Sequence, residues 1–261
     1  MATIDVPVSA LNKRGYGETL RQDLWWLVPL LTFLGLGAFV VYSTWAAFQG
    51  DFFRFGPYLS PMYSPVLITT RPDWWPAFIP FSASLIILWM PGGFRLTCYY
   101  YRGAYYKAFW SDPPSCAVGE PRQHYWGERK FPLLLQNIHR YFFYIALVFL
   151  VILANDAWNA LWWVESGRRV VELRIGTIVM FLDPILLAGY TFGCHSFRHL
   201  IGGSKDTVGS GRRNAYSCVS CLNGAHMRWA WASLVMVMFT DIYIRLCAMG
   251  IWHDAVIWRP H

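Results

Sequence analysis

Charge is scarce in this 261-residue chain: Asp, Glu, Lys and Arg make up 14% of it, against about 25% in ordinary soluble domains. The shortage excludes a disordered tail, which stays unfolded by being polar, and a conventional soluble enzyme, whose surface needs more charge. Six cysteines in such a length are too few for a disulfide-rich secreted module. No cleavable signal peptide is visible, because the first 23 residues are polar and contain Lys13, Arg14, Glu18, Arg21 and Asp23. There is no GxGxxG fingerprint for a dinucleotide, no second CxxC pair to complete a zinc site, and no internal repeat.

Apolar mass is abundant instead. Hydrophobic residues account for 56% of the chain, with 15 Trp, 15 Tyr and 18 Phe, which suits a lipid-facing surface. Five stretches are long enough, at roughly 20 residues per crossing, to span a bilayer: 24–48, 76–97, 141–163, 175–194 and 229–252. Trp25, Trp26, Trp74, Trp75, Trp162, Trp163, Trp229, Trp231 and Trp252 stand at their ends, where indole rings mark the headgroup level. The expected fold is therefore all-α: one integral membrane domain over 1–261, a bundle of five transmembrane helices.

Orientation follows from the cations. Fifteen of the 22 Lys and Arg fall before the first span or in the segments near 95–140 and 198–228, and the other seven fall on the opposite side. The positive-inside rule then makes the N-terminus cytoplasmic, in a multi-pass membrane protein. The net charge of +7 is thereby topological bias, and no nucleic acid is expected as a partner. Pro29 falls in the first turn of span one, where its missing N–H costs little, whereas Pro184 falls in the middle of span four and should kink it. The proline-rich stretch 51–75 reads as an ordered extracytoplasmic cap or an irregular connection, and the helix of span two is expected to run on through 99–110.

Thiols and imidazoles are distributed unequally. Cys98, Cys116, Cys194, Cys218 and Cys221, with His124, His139, His195, His199 and His226, fall on the expected cytoplasmic face; only Cys247, His253 and His261 lie toward the other. Cytoplasmic thiols stay reduced, so metal ligation gains weight over disulfides, although each residue alone reads as packing or surface. The CVSC pair Cys218 and Cys221 is a weak zinc signal. A binuclear Rieske-type cluster needs thiolates on one iron and imidazoles on the other, and the chain offers both kinds at one depth without the usual CxH and CxxH loops. A haem b held by His139 and His195 is the alternative. Asp156, Asp183 and Asp241 are ionisable residues inside spans, with Arg245 one turn after Asp241 in ion-pair geometry. Asp183 and Asp241 are candidate proton-relay groups, and a small ion or solute transporter would use the same residues.

Five segments together resemble one family. RLTCYYYRGAYYKAFW (95–110), DPPSCAV (112–118), YWGERKFPLLLQNIHRYFFY (125–144), GCHSFRHLIGG (193–203) and LNGAHMRWAWASL (222–234) look like the single-chain, five-helix, cytochrome b-like SdhC anchor of an actinobacterial type of succinate dehydrogenase. The resemblance covers most of 24–245 and implies the bacterial inner (plasma) membrane as the location. It implies a complex II subunit that docks a flavoprotein and an iron–sulfur subunit, binds quinone (menaquinone or ubiquinone) beside membrane lipid, and carries a Rieske-type [2Fe–2S] cluster rather than haem. The motif matches imply Cys98, Cys116, Cys194, His195 and His226 as cluster candidates, of which only four can be ligands. His139 and His199 are then supporting groups or substitutes. Arg21, Trp25, His139 and Arg140, at the expected cytoplasmic interface, are the candidate quinone contacts. With no flavin-binding domain of its own, the chain is not expected to oxidise succinate alone.

Overall fold

The computed structural model describes residues 15–121, 133–202 and 209–260. Helix α1 (Leu27–Gln49) is followed by two short strands, β1 (Arg54–Phe55) and β2 (Tyr58–Leu59), and by helices α2 (Ala83–Ile87), α3 (Trp89–Thr97) and α4 (Tyr99–Tyr105). A π-helical turn (Tyr106–Trp110) and a 3-10 helix (Leu133–Ile138) precede α5 (His139–Asn159). Strands β3 (Trp162–Glu165), β4 (Arg168–Val171) and β5 (Leu173–Arg174) then lead to α6 (Ile175–Phe192). Helices α7 (His195–Gly202), α8 (Ser210–Gly224) and α9 (His226–Ala248) and strand β6 (Val256–Trp258) complete the order. The strands pair as three antiparallel ribbons, β1 with β2, β3 with β4 and β5 with β6. The chain groups into two compact units, one formed by residues up to Val40 with Arg95–Ile138, the other by Val41–Phe94 with the residues from His139 onward.

Among the described residues, four helical segments are long and apolar enough to cross a membrane: Leu27–Gln49, Gln136–Asn159, Ile175–Phe192 and His226–Ala248. They coincide with four of the five expected spans. Helix α1 buries none of its most apolar window, with Val28 and Val41 each 71% exposed. An apolar surface of that extent is stable only against lipid or another chain. The remaining expected span, 76–97, is not one helix. Residues 76–82 are irregular, and a turn at Leu88 separates α2 from α3. Pro91 explains the break, because it offers no N–H to the carbonyl of Ile87 and its ring crowds that carbonyl. Beyond Cys98 the helical path resumes through α4 and the π-helical turn, as expected for 99–110. Helix α6 runs without interruption through Pro184.

Within the second unit α6 lies against both α5 and α9. The starts of α5 and α9 and the end of α6 meet at one end of these helices, and the ribbons stand at the other. Close approach depends on small residues. A Cβ on Gly176 would sit 2.4 Å from the Tyr58 ring, and one on Gly189 would sit 2.5 Å from the Trp229 indole. The core between is apolar, made of Tyr58, Ala157, Ala160, Met180 and Ile244, with Val179, Tyr243 and Cys247 beside it. The stretch 51–75 is ordered: Tyr58, Ser60, Met62, Tyr63 and Ser64 are all buried.

At the ribbon end Asp254 closes the bundle. Its buried carboxylate accepts hydrogen bonds from Tyr58 Oη at 2.9 Å, Tyr243 Oη at 2.8 Å and the backbone N–H of Gly176 at 2.9 Å. The last is one of the N–H groups that the first turn of α6 leaves without an intrahelical partner, and negative charge is favoured there. Replacing Asp254 with Ala removes the acceptor that the three donors share, leaving Tyr58 Oη with Thr177 Oγ1 at 3.1 Å. A loss of about 1–3 kcal/mol or more is expected, read as a lower thermal midpoint of the purified protein. Gly176→Ala is expected to lower it too, by about 1–3 kcal/mol, since the Tyr58 ring must move.

Candidate functional site

Three helix ends bring a thiol and two imidazoles to the same end of the second unit. His139 opens α5 and is 8% exposed. Its ring lies flat on Phe94, with centroids 4.9 Å apart and planes within 3°. Its Nε2 is 3.1 Å from Sγ of Cys194, which is 1% exposed in the turn between α6 and α7. His226 opens α9, and its ring stacks on Tyr190 at 5.0 Å and 16°. Tyr190 in turn meets Phe94 edge-on at 5.2 Å.

The turn bearing Cys194 is closely bounded. A Cβ at Gly193 would come within 2.7 Å of the Gly189 carbonyl, 3.0 Å of the Leu222 carbonyl and 3.3 Å of His226 Nδ1. Asn223 also donates to the Gly193 carbonyl at 2.7 Å, tying α8 to the turn. Glycine is therefore required between Phe192 and Cys194, and the close approach of backbones is what sets the thiol beside His139.

The other candidates have different surroundings. His195, though next to Cys194 in sequence, is exposed on α7 with His199, their rings 6.2 Å apart. Cys218 and Cys221 are exposed on α8. Cys98 is buried and caps the start of α4. His124 lies outside the described residues. Among the described residues, no group of three or more His, Cys, Asp or Glu side chains is arranged to hold a metal ion.

In the first unit, residues 15–23 run along 111–119. Gly17 N–H donates to Gly119 at 3.0 Å, and the Thr19 hydroxyl donates to Ala117 at 2.9 Å. Arg21 donates to Ser115 Oγ at 2.8 Å and to the Cys116 carbonyl at 3.0 Å, and pairs with Asp23. The hydrogen bond from Arg21 holds the Asp23 carboxyl below the usual carboxylate range. Arg21 thus fixes the backbone of Cys116, whose thiol is exposed. Trp25 is half-buried and Arg140, in the second unit, is exposed. On α4, burial pushes the Tyr101 hydroxyl up to about 12, while Arg95 donates to its oxygen at 2.8 Å.

Among the acids of the expected spans, Asp241 has the most partners that the structure shows. Asp241 accepts from Arg245 Nε at 2.6 Å, from Tyr42 Oη at 2.5 Å and from Ser60 Oγ. Arg245 spends its other nitrogens on the carbonyls of Asp51 at 2.8 Å and Ala46 at 3.0 Å. The i,i+4 pair was legible in the sequence. Its clamp on the last turn of α1 and on the 51–75 segment was not, because Tyr42 and Ser60 are distant in sequence. Asp156 takes a hydrogen bond from Ser64, and Asp183 is buried on α6. Near the clamp, a cavity of about 120 Å³ lined by Phe53, Tyr63 and Phe81 falls below the roughly 300–1,000 Å³ usual for small-molecule sites.

Comparison with known proteins agrees with this architecture. The family described as actinobacterial succinate dehydrogenase subunit SdhC matches residues 27–250. A chain of the Mycobacterium smegmatis Sdh1 complex in the apo form is similar over 93% of this chain and 94% of that one, with 41% identity and a TM-score of 0.82. No curated protein sequence matches the chain.

Arg245→Met leaves Asp241 buried without its cation and is expected to destabilise by about 3–5 kcal/mol. Adding Asp241→Leu removes the orphaned charge, so the double variant should melt above the single one. A thermal-denaturation cycle over the three proteins measures this; a double variant no more stable than Arg245→Met contradicts the clamp.

Proposed function

The chain belongs to the family of actinobacterial succinate dehydrogenase SdhC membrane subunits, and from that premise we propose that it anchors the complex and carries electrons between the succinate-oxidising subunits and quinone. The observation that carries the reading is the buried contact between Cys194 and His139, with His226 across the Phe94 and Tyr190 rings. Buried thiols and imidazoles at one end of a lipid-facing bundle suit a redox centre near a soluble electron donor. In this reading the flavoprotein and iron–sulfur subunits dock on the face bearing these residues, in the cytoplasm. The N-terminus lies on the same side, the chain crosses the plasma membrane five times, and α2 and α3 supply the crossing that is broken at Leu88.

A Rieske-type [2Fe–2S] cluster asks for two thiolates and two imidazoles. The second unit supplies Cys194, His139 and His226, donors of the right kind but one thiolate short, and among the described residues no three His, Cys, Asp or Glu side chains are arranged to hold a metal ion. The chain's remaining candidates are Cys98, which is buried, and Cys116, which is exposed. His139 takes precedence over His195 because it is buried against Cys194 while His195 is exposed. When bound, such a cluster accepts and donates one electron at a potential raised by imidazole ligation. The haem alternative, on His139 and His195, draws no support from a buried ring and an exposed one. Quinone reduction takes up two protons with its two electrons; Arg21, Trp25, His139 and Arg140 are the groups proposed to orient the ring or pass protons to its carbonyl oxygens.

Low-temperature electron paramagnetic resonance on the purified complex tests this. Cys194→Ser and His226→Ala are each expected to abolish a low-field Rieske-type signal while succinate oxidation with a soluble dye persists. Cys218→Ser with Cys221→Ser is expected to leave the signal intact. Haem by pyridine haemochrome, with no such signal in the unsubstituted complex, overturns the cluster reading.

A further inference from the structure

Helix α8 carries on one side the contacts that hold it and on the other a pair of thiols. Val219 is 5% exposed, Ser220 Oγ accepts a hydrogen bond from Arg198 Nε of α7 at 3.2 Å, and Asn223 donates to the Gly193 carbonyl at 2.7 Å. The Arg198 guanidinium also lies over the Tyr216 ring, 5.2 Å from its centroid. Positions 216, 219, 220 and 223 recur at helical spacing and make one held face. Cys218 and Cys221 fall on the opposite side of the helix and are exposed. From this placement we propose that Cys218 and Cys221 are a reversible dithiol–disulfide site oxidised by a low-molecular-weight disulfide, and that closing it loosens the grip of α8 on the turn bearing Cys194.

The pair is one helical turn apart. Side chains three positions apart on a helix have Cβ atoms about 5–6 Å from one another, whereas a disulfide needs them about 3.5–4.5 Å apart. The two thiols can therefore join only when the turn between them tightens by about 1–2 Å. With both thiols free, α8 runs unbroken from Ser210 to Gly224. Val219 and Ser220 lie inside the turn that must tighten, and Asn223 follows two residues after it. The contraction thus reaches the groups that hold α7 and the Cys194 turn. There is little slack where they meet, since a Cβ on Gly193 would lie 3.0 Å from the Leu222 carbonyl.

The exchange balances without a metal. One cysteine thiolate attacks a sulfur of the small disulfide and releases one small thiol; the other thiolate attacks the protein sulfur of that mixed disulfide and releases the second. Two electrons pass from the protein thiols to the small disulfide, and their two protons leave with the released thiols. Cytosolic disulfides are characteristically transient and redox-sensing, and this end of the second unit is the cytoplasmic one in the reading above. A bond that holds a tightened turn is also readily reduced, which makes the site reversible.

The experiment treats the purified complex with oxidised glutathione and then with dithiothreitol. Peptide mass spectrometry is expected to find the segment bearing both cysteines lighter by two hydrogens after oxidation and restored after reduction. Phe197 and Arg198 donate their backbone N–H groups to the Cys194 carbonyl, and amide hydrogen exchange over 193–198 is expected to quicken roughly fivefold in the oxidised complex, the factor that loss of one hydrogen bond gives. Cys218→Ser and Cys221→Ser, which leave the held face unchanged, should each abolish both effects. Two separate glutathione adducts in place of the bridge, or both thiols recovered unmodified, overturn the dithiol site. A bridge with unchanged exchange over 193–198 overturns its coupling to the Cys194 turn. Neither readout involves iron, so a missing Rieske-type signal contradicts the cluster reading alone.

Discussion

The contact of α6 with α9 at Gly189, where the Trp229 indole occupies the space that a Cβ would fill, governs how the end of α6 meets the start of α9. That meeting brings Tyr190 onto His226 and Asn223 onto the turn bearing Cys194. A second close contact, of Gly93 with Phe142, does the same for α3 and α5 and brings Phe94 onto His139. The thiol and imidazoles are thus held by helix packing through small residues, a common means of bringing membrane helices together. Such a site resembles neither a zinc knuckle nor a loop-borne cluster, where short sequence spacing makes the geometry.

Polar groups inside the bundle obey a second constraint, that without water each must find its partner in the protein. Asp241 and Arg245 answer it by binding one another and four further groups from α1 and the segment that follows. Asp254 answers it by collecting two tyrosine hydroxyls and a backbone N–H at the start of α6. Both clusters lie away from the Cys194 end, so the ribbon end of the second unit is a rigid closure. The charge that stands out in the sequence there is hydrogen-bonded in the structure at Asp241, Arg245 and Asp254, and the thiol and imidazoles stand at the opposite end.

Much of the fold was legible because apolar length is a direct signature of a membrane crossing, and α1, α5, α6 and α9 follow it closely. Span 76–97 was misjudged as one helix because hydropathy ignores the Pro91 ring, which breaks the ladder at Ile87 although every neighbour is apolar. The site was legible in its ingredients. Cys194 and His226 were named from the sequence as cluster candidates, and His139 as a supporting group or substitute, a haem ligand and a quinone contact. His195 is adjacent to Cys194 in sequence yet exposed on α7, since neighbouring residues at a helix start point in different directions. Phe94 and Tyr190 were passed over because aromatic residues are everywhere in this chain, and only the parallel ring planes separate these two from the lipid-facing ones.

The most direct test of the proposed centre is a density map of the intact complex at side-chain resolution around the starts of α5 and α9. A two-iron cluster in bonding contact with Cys194, His139 and His226 is the expected result. Continuous His139–Cys194 contact, with no metal density between these helix ends in a complex that reduces quinone, would contradict it.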